Sequence, residues 1–129
     1  MSGERIFATS KRAVVDTSVL IDLAAGDRTM GQVLEGLDVR ISIITAIEFL
    51  AWPKLTEASL PVARTFLEQY ATEHIGSSIR DDAAMIKRKF KLKVPDAVIA
   101  ATAMNLNAPL ITRDRDFGPV AHLIEVRLV

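Results

Sequence analysis

The feature that most constrains this chain is that short apolar runs are followed closely by an acidic residue. Ala13, Val14 and Val15 run directly into Asp16, and the run PLIT at 109–112 comes just before Asp114. Apolar runs without alternation are typical of strands buried on both faces of a parallel sheet. Helical segments separate these runs, so the sequence predicts an α/β domain with a mostly parallel sheet and right-handed crossovers.

The predicted elements fill one domain over residues 1–129, with residues 1–12 as a short N-terminal leader. No internal repeat, low-complexity segment or linker interrupts it. Thr45 is expected to cap the third helix, because threonine oxygens accept first-turn N–H groups. The last helix is apolar all round and should be buried. Strands are predicted at 13–15, 39–44, 74–79, 109–112 and 123–128, and helices at 19–25, 29–37, 46–52, 60–72, 80–91 and 96–106.

Composition limits the classes of function. Half of the 129 residues are hydrophobic and a quarter are charged, which is a globular balance. The lack of cysteine excludes disulfides, a cysteine zinc site and a thiol nucleophile. No apolar stretch approaches the ~20 residues of a membrane span, and we expect a cytoplasmic protein with no membrane attachment. Sixteen basic and sixteen acidic residues cancel, so a nucleic acid would have to be attracted by local patches and a bound metal.

Acidic residues stand where ligands bind in α/β folds, beyond the carboxyl ends of the strands. Asp16 follows the first strand, and Glu48 is placed in the first helical turn after the second. Asp96 opens the apolar helix, and Asp114 and Asp116 follow the fourth strand. These strand ends share one edge of the sheet, and clustered carboxylates repel each other, so the fold must bind a cation among them or raise their pKa values. Oxygen ligands suit Mg²⁺ or Mn²⁺, which can support phosphodiester cleavage.

Each acid also has an ordinary structural explanation. Asp16 can cap the helix that follows it, and Asp96 can complement the dipole at a helix N-terminus. Glu48 can be a solvated helix residue, and Asp114 and Asp116 can be turn residues. Taken one at a time, the structural explanation is at least as good as the functional one. Only their joint placement favours a site.

Four motifs stand in order along the chain, namely VVDTSVLIDL at 14–23, TAIEFL at 45–50, VPDAVIAATA at 94–103 and LITRDRDF at 110–117. In this order and spacing they resemble the motifs of the PIN domain in its VapC-type toxin branch. The resemblance runs from Ala13 to the C-terminus and implies a three-layer α/β/α fold. It also implies a metal-dependent endoribonuclease that acts as the toxin of a toxin–antitoxin pair.

The resemblance assigns roles to the acidic residues. Asp16, Glu48, Asp96 and Asp114 match the family's acidic quartet, which holds Mg²⁺ or Mn²⁺ and activates water to cut RNA. Asp116 matches a fifth acid that often assists. No position of the quartet is missing, so the resemblance implies an active enzyme.

The same resemblance implies supporting residues and partners. Thr112 matches a hydroxyl residue beside the metal site, and Thr17 or Ser18 matches the small polar residue after the first acid. Members of this branch are usually homodimers. They are encoded beside an antitoxin that plugs the site with an arginine-bearing tail.

Two basic segments leave alternatives open. Five cations lie between Lys87 and Lys93, and they are either a track for substrate phosphates or a solvated helix end. Arg113 and Arg115 flank Asp114, where they either hold a phosphate or pair with acids.

Two rival functions remain to be weighed. A non-catalytic PIN-like module that binds nucleic acid or regulates with its antitoxin is disfavoured by the complete quartet. A phosphorylation-controlled receiver domain needs an acid pair after its first strand and a lysine at a late strand end. This chain has the single Asp16 and then Thr112, Arg113 and Asp114 at those places.

Overall fold

The computed structural model describes residues 11–129, which form a five-stranded sheet in the order β3-β2-β1-β4-β5. All four neighbouring pairs of strands are parallel, as the sequence predicts. Residues 1–10 of the predicted leader lie outside the described residues, and Arg12 already belongs to the first strand. The strands are β1 (Arg12–Val15), β2 (Asp38–Ser42), β3 (Ala71–Glu73), β4 (Leu110–Thr112) and β5 (Val126–Leu128).

Helices cover both faces of this sheet, which gives the three layers of an α/β/α fold. Successive residues of β1 point to opposite faces. Val15 therefore packs with the core that includes helices α1 to α4, whereas Val14 packs with the core that includes α5, α6 and a 3₁₀ helix. The helices are α1 (Thr17–Ala24), α2 (Arg28–Leu34), α3 (Ile43–Leu50), α4 (Leu60–Leu67), α5 (Ser77–Phe90), α6 (Val94–Leu106) and the 3₁₀ helix (Arg115–Val120).

The apolar helix α6 is buried as predicted. Seven successive residues, from Ala97 to Ala103, are shielded from solvent, and four of them are alanines. Small side chains let the helix lie close against its neighbours, and α6 contacts α5, β1 and β2. Its N-terminus, which carries Asp96, is thereby fixed relative to the sheet. No helix within residues 11–129 is long and apolar enough to cross a membrane.

The predicted cap of the third helix is wrong. The helix α3 begins at Ile43, and the hydroxyl of Ser42 accepts the N–H of Ile44 at 3.0 Å. Thr45 instead lies inside the helix, fully buried, and its hydroxyl has no hydrogen-bond partner in the described part of the chain. The apolar run that spans this boundary fits a strand or a helix equally well, and periodicity cannot divide it. Glu48 consequently lies in the second helical turn rather than the first.

The predicted third strand at 74–79 is also wrong, because β3 occupies Ala71–Glu73 at the edge of the sheet. This strand has no buried residue, and Glu73 forms a 3.1 Å ion pair with Arg40 on β2. An exposed polar edge strand has no apolar pattern that would reveal it. The preceding helix, α4, accordingly ends at Leu67 rather than at residue 72.

Candidate active site

Asp16 is the most enclosed acid at the carboxyl edge of the sheet, with 4% of its surface exposed. Its Oδ1 accepts the N–H of Val19 at 3.1 Å and so caps α1, while Oδ2 accepts the hydroxyl of Thr112. The hydroxyl of Ser18 lies 3.5 Å from Oδ1. Burial raises the pKa of Asp16, and the negative charge of Asp114 adds to this rise, whereas the three hydrogen bonds lower it. The fold therefore buries a carboxylate whose charge it stabilises only in part.

Thr112 connects two of the acids. It ends β4, it is fully buried, and its hydroxyl donates to Asp16 while accepting the N–H of Asp114 at 2.9 Å. Asp114 in turn caps the 3₁₀ helix, because its Oδ1 accepts the N–H of Asp116 at 2.8 Å. The loop after β4 is thus held against the end of β1.

Glu48 is joined to the same edge from α3. The hydroxyl of Thr17, the first residue of α1, donates to Oε1 of Glu48. The sequence left Thr17 and Ser18 as candidates for the small polar residue after the first acid. Thr17 contacts Glu48, whereas Ser18 lies near Asp16. Glu48 itself is exposed, which leaves it open to solvent and to a ligand.

Asp96 is a half-buried residue in the first turn of α6, and the charges of the other three predicted acids reach it. Burial raises the pKa of Asp96, and the negative charges of Asp114, Glu48 and Asp16 raise it further. Lys93 lowers it. The structure therefore brings acids from four separate motifs into one electrostatic cluster.

The cluster can be tested for its fit to a divalent cation. Within residues 11–129, no group of three or more His, Cys, Asp or Glu side chains is arranged closely enough to hold a metal ion. The chemistry of the donors nevertheless fits Mg²⁺ or Mn²⁺, because they are carboxylate oxygens whose mutual repulsion a cation would relieve. The acids that could hold the ion are Asp16, Glu48, Asp96 and Asp114.

The fifth acid, Asp116, is exposed and lines a cleft beside the cluster. This cleft has a volume of about 420 Å³, and Asp96 lies in its wall. Its other lining residues are Phe90, Lys91, Leu92, Lys93, Arg115 and Pro119.

The structure separates the two arginines that the sequence left open. Arg113 forms ion pairs with Asp22 at 2.8 Å and Asp27 at 3.3 Å, so it ties the loop after β4 to the end of α1 and the cap of α2. Arg115 faces the cleft instead. Sequence reasoning missed Asp22 and Asp27 as partners, and nothing in their sequence spacing from Arg113 could have revealed them.

Comparison with known proteins gives one family and several similar structures. The PIN domain family matches residues 13–123. A chain of a toxin–antitoxin complex from Klebsiella pneumoniae is 35% identical over 81% of this chain and 89% of that one, with a TM-score of 0.74. Among curated proteins, no sequence matches this chain.

Two more distant structures show the same fold. A chain of VapBC2 from Rickettsia felis, solved with a DNA fragment from its promoter, is 14% identical over 92% of this chain and 98% of that one, with a TM-score of 0.77. A chain of VapBC-5 from Mycobacterium tuberculosis is 22% identical over 92% of this chain and 99% of that one, with a TM-score of 0.68.

Proposed function

This chain belongs to the PIN domain family, and from that premise we propose that it is a metal-dependent endoribonuclease acting as the toxin of a toxin–antitoxin pair. The observation that carries the proposal is the convergence of three carboxylates, those of Asp16, Glu48 and Asp114, on the fourth, Asp96. Gathering like charges costs free energy, which a protein offsets by binding a cation or by raising the pKa values of the acids. VapC-type PIN toxins, which the four motifs resemble, are generally nucleases.

The roles follow from exposure and contacts. Asp16, Asp96 and Asp114 are the proposed metal ligands, and Glu48, the exposed member, completes the shell or orients the attacking water. Asp116 supports them from the cleft. When bound, Mg²⁺ or Mn²⁺ supplies an activated water and neutralises charge on the leaving oxygen.

Two hydroxyl residues act as positioning residues in this proposal. Thr112 fixes the rotation of the Asp16 carboxylate and the start of the loop that carries Asp114. Thr17 fixes the Glu48 carboxylate through its own hydroxyl. Preorganised ligands of this kind keep the oxygens of the site in place as charge develops.

The partners are part of the same proposal. The structure from Klebsiella pneumoniae is a toxin–antitoxin complex, and at 35% identity it supports a cognate antitoxin for this chain. We also propose a homodimer, an RNA substrate and a cytoplasmic site of action, as the resemblance to VapC-type toxins implies.

The test is cleavage of total cellular RNA by purified protein freed of antitoxin, in Mg²⁺, in Mn²⁺ and in EDTA. We expect discrete fragments that require metal and disappear in Asp96→Asn. The matched control is Asp81→Asn, which removes the same charge from an exposed position on α5 that pairs with Arg80. It should cut like the wild type.

Two results would contradict the proposal. Folded wild-type protein that cuts no RNA in either metal would instead support a non-catalytic nucleic-acid-binding or regulatory module. Metal-dependent cutting that survives in Asp96→Asn after repeated purification would refute the role of Asp96.

A further inference from the structure

The cleft beside the acidic cluster carries cations from two separate segments of the chain. We propose that Lys91, Lys93 and Arg115 form a subsite for a backbone phosphate of a single-stranded RNA, next to the bond that is cut. This inference rests on the proposed nuclease function and adds the residues that hold the strand.

The local structure explains why these cations face the cleft. Lys91 ends α5 with a left-handed backbone, at φ +59°, and this turn starts the connection to α6. Leu92 is 6% exposed and packs into the core, so it anchors the connection between the two lysines. Arg115 lines the cleft from a separate segment of the chain, as the first residue of the 3₁₀ helix that Asp114 caps.

These three cations form no ion pair with any acid in residues 11–129. Some arginines of the described chain are already engaged, and Arg40, for example, pairs with Asp38 and Glu73. Arg113 is likewise held by two carboxylates. A cation already paired with a carboxylate would have to give up that partner to bind a phosphate, whereas the cleft cations are ready to do so.

The cleft also lies at the right place for a substrate phosphate. Lys93 lowers the pKa of Asp96, which places its charge within electrostatic reach of the acidic cluster. Asp96 and Asp116 share the walls of the cleft with the cations. Ligand pockets commonly measure ~300–1,000 Å³, and the cleft, at about 420 Å³, falls within that range.

The cations of the cleft supply a local attraction for phosphate that the net charge of the whole chain does not provide. The protein has a formal net charge of zero, so it exerts no global pull on a polyanion. A local group of cations can hold the backbone where the acids would otherwise repel it. Phosphate contacts fix register and orientation without reading sequence, so the subsite should act on RNAs of different sequence alike.

The test compares two double variants that remove the same charge. Lys91→Gln/Lys93→Gln alters the cleft, and Arg88→Gln/Lys89→Gln is the control, because these exposed residues precede it on α5. The readout is the affinity for a fluorescent single-stranded oligoribonucleotide in EDTA, measured by anisotropy across a salt series. Arg115→Gln gives an independent variant in the other segment that lines the cleft, and unfolding curves verify that every variant is folded.

We expect the cleft variant to bind about tenfold more weakly, with a salt slope smaller by ~0.7 for each phosphate that the protein no longer neutralises. The control should bind like the wild type, and Lys91→Arg/Lys93→Arg should restore affinity. Equal affinity and slope in the cleft and control variants would overturn the subsite. So would an unchanged RNA affinity combined with weakened binding of poly-glutamate, which would assign the cations to an acidic protein partner.

The outcomes separate this inference from the nuclease itself. If the wild type cuts RNA and the cleft variants bind RNA as tightly as the wild type, the subsite is refuted and the nuclease function is retained. If the wild type cuts no RNA but the cleft variants bind RNA more weakly than the wild type, the nuclease function is refuted and the subsite is retained.

Discussion

Replacing Thr112 by valine removes a hydroxyl that serves two acids at once. The side chain is fully buried, and its hydroxyl donates to Oδ2 of Asp16 while accepting the N–H of Asp114. Valine has nearly the same shape but no hydroxyl, so Thr112→Val deletes both hydrogen bonds while leaving no large cavity. The carboxylate of Asp16 keeps its burial and loses one of the groups that stabilise its charge.

The expected loss is the sum of a charged and a neutral hydrogen bond. The bond to the carboxylate contributes ~1.5–3 kcal/mol and the bond from the backbone ~0.5–1.5 kcal/mol. We therefore expect the free energy of unfolding to fall by about 3 kcal/mol, which lowers Tm by about 10 °C in a domain of this size. The bond to Thr112 lowers the pKa of Asp16, so its contribution is present when Asp16 is ionised. The loss should shrink as acid protonates that carboxyl group.

The assay is urea unfolding in EDTA at neutral and at acidic pH, with Thr112→Ser as the matched control. Serine keeps the hydroxyl and loses one buried methyl group, which costs ~0.5–1.5 kcal/mol by analogy with Ile→Val. The reasoning would be refuted if the valine and serine variants were equally stable. It would also be refuted if the deficit of the valine variant did not change with pH.

Two further outcomes test the electrostatics and the helix start. Burial and the charges of its neighbours raise the pKa of Asp96, so the stability linked to its neutral form is present below the ordinary pKa and lost as pH rises through the raised one. Asp96→Asn should accordingly raise Tm at neutral pH in EDTA and bring no gain in acid, and calorimetry across pH that shows a neutral-pH loss would contradict this. Ser42→Ala should cost ~1 kcal/mol of unfolding free energy as a lost cap. Thr45→Val should cost nothing or stabilise, because that hydroxyl has no partner in the described chain, and the opposite ranking in chemical denaturation would restore Thr45 as the cap.

The parts of the fold that the sequence predicts well are those with a strong apolar signal. Strand β1 is buried from Ala13 to Val15 and helix α6 from Ala97 to Ala103, and the prediction located both to within a few residues. The prediction failed at β3, whose three residues include none that is buried. Its place beside β2 depends on pairing across the sheet and on the contact between Arg40 and Glu73, two residues far apart in sequence. Local pattern cannot contain that information.

The candidate site also has a part that the sequence predicts and a part that it cannot predict. The acids could be nominated from sequence because parallel strands end at one edge, and the structure brings Asp16, Glu48, Asp96 and Asp114 into one electrostatic cluster. What sequence could not supply is the separation of Arg113 from Arg115. These residues lie on either side of one aspartate, yet the short loop sends the first towards α1 and the second into the cleft.

The structural and functional explanations of Asp16 turn out to be compatible, and one substitution can separate them. Oδ1 caps α1, which a serine would do about as well. Capping therefore does not explain why a carboxylate, with its second oxygen bound to Thr112, is buried among other acids at a raised pKa. The Asp16→Ser variant should be more stable than the Asp16→Ala variant by ~1 kcal/mol of unfolding free energy, because only serine retains the cap.

Added Mg²⁺ should raise the free energy of unfolding of the wild type by ~2.7 kcal/mol at a concentration of about 100 times Kd, and Tm should rise with it. Neither variant at Asp16 should gain it, because the cap survives in one of them while the carboxylate is lost in both. A rise in Tm with Mg²⁺ that persists in Asp16→Ser would mean that the buried carboxylate serves the helix alone, and the metal would then have to be held by the remaining acids.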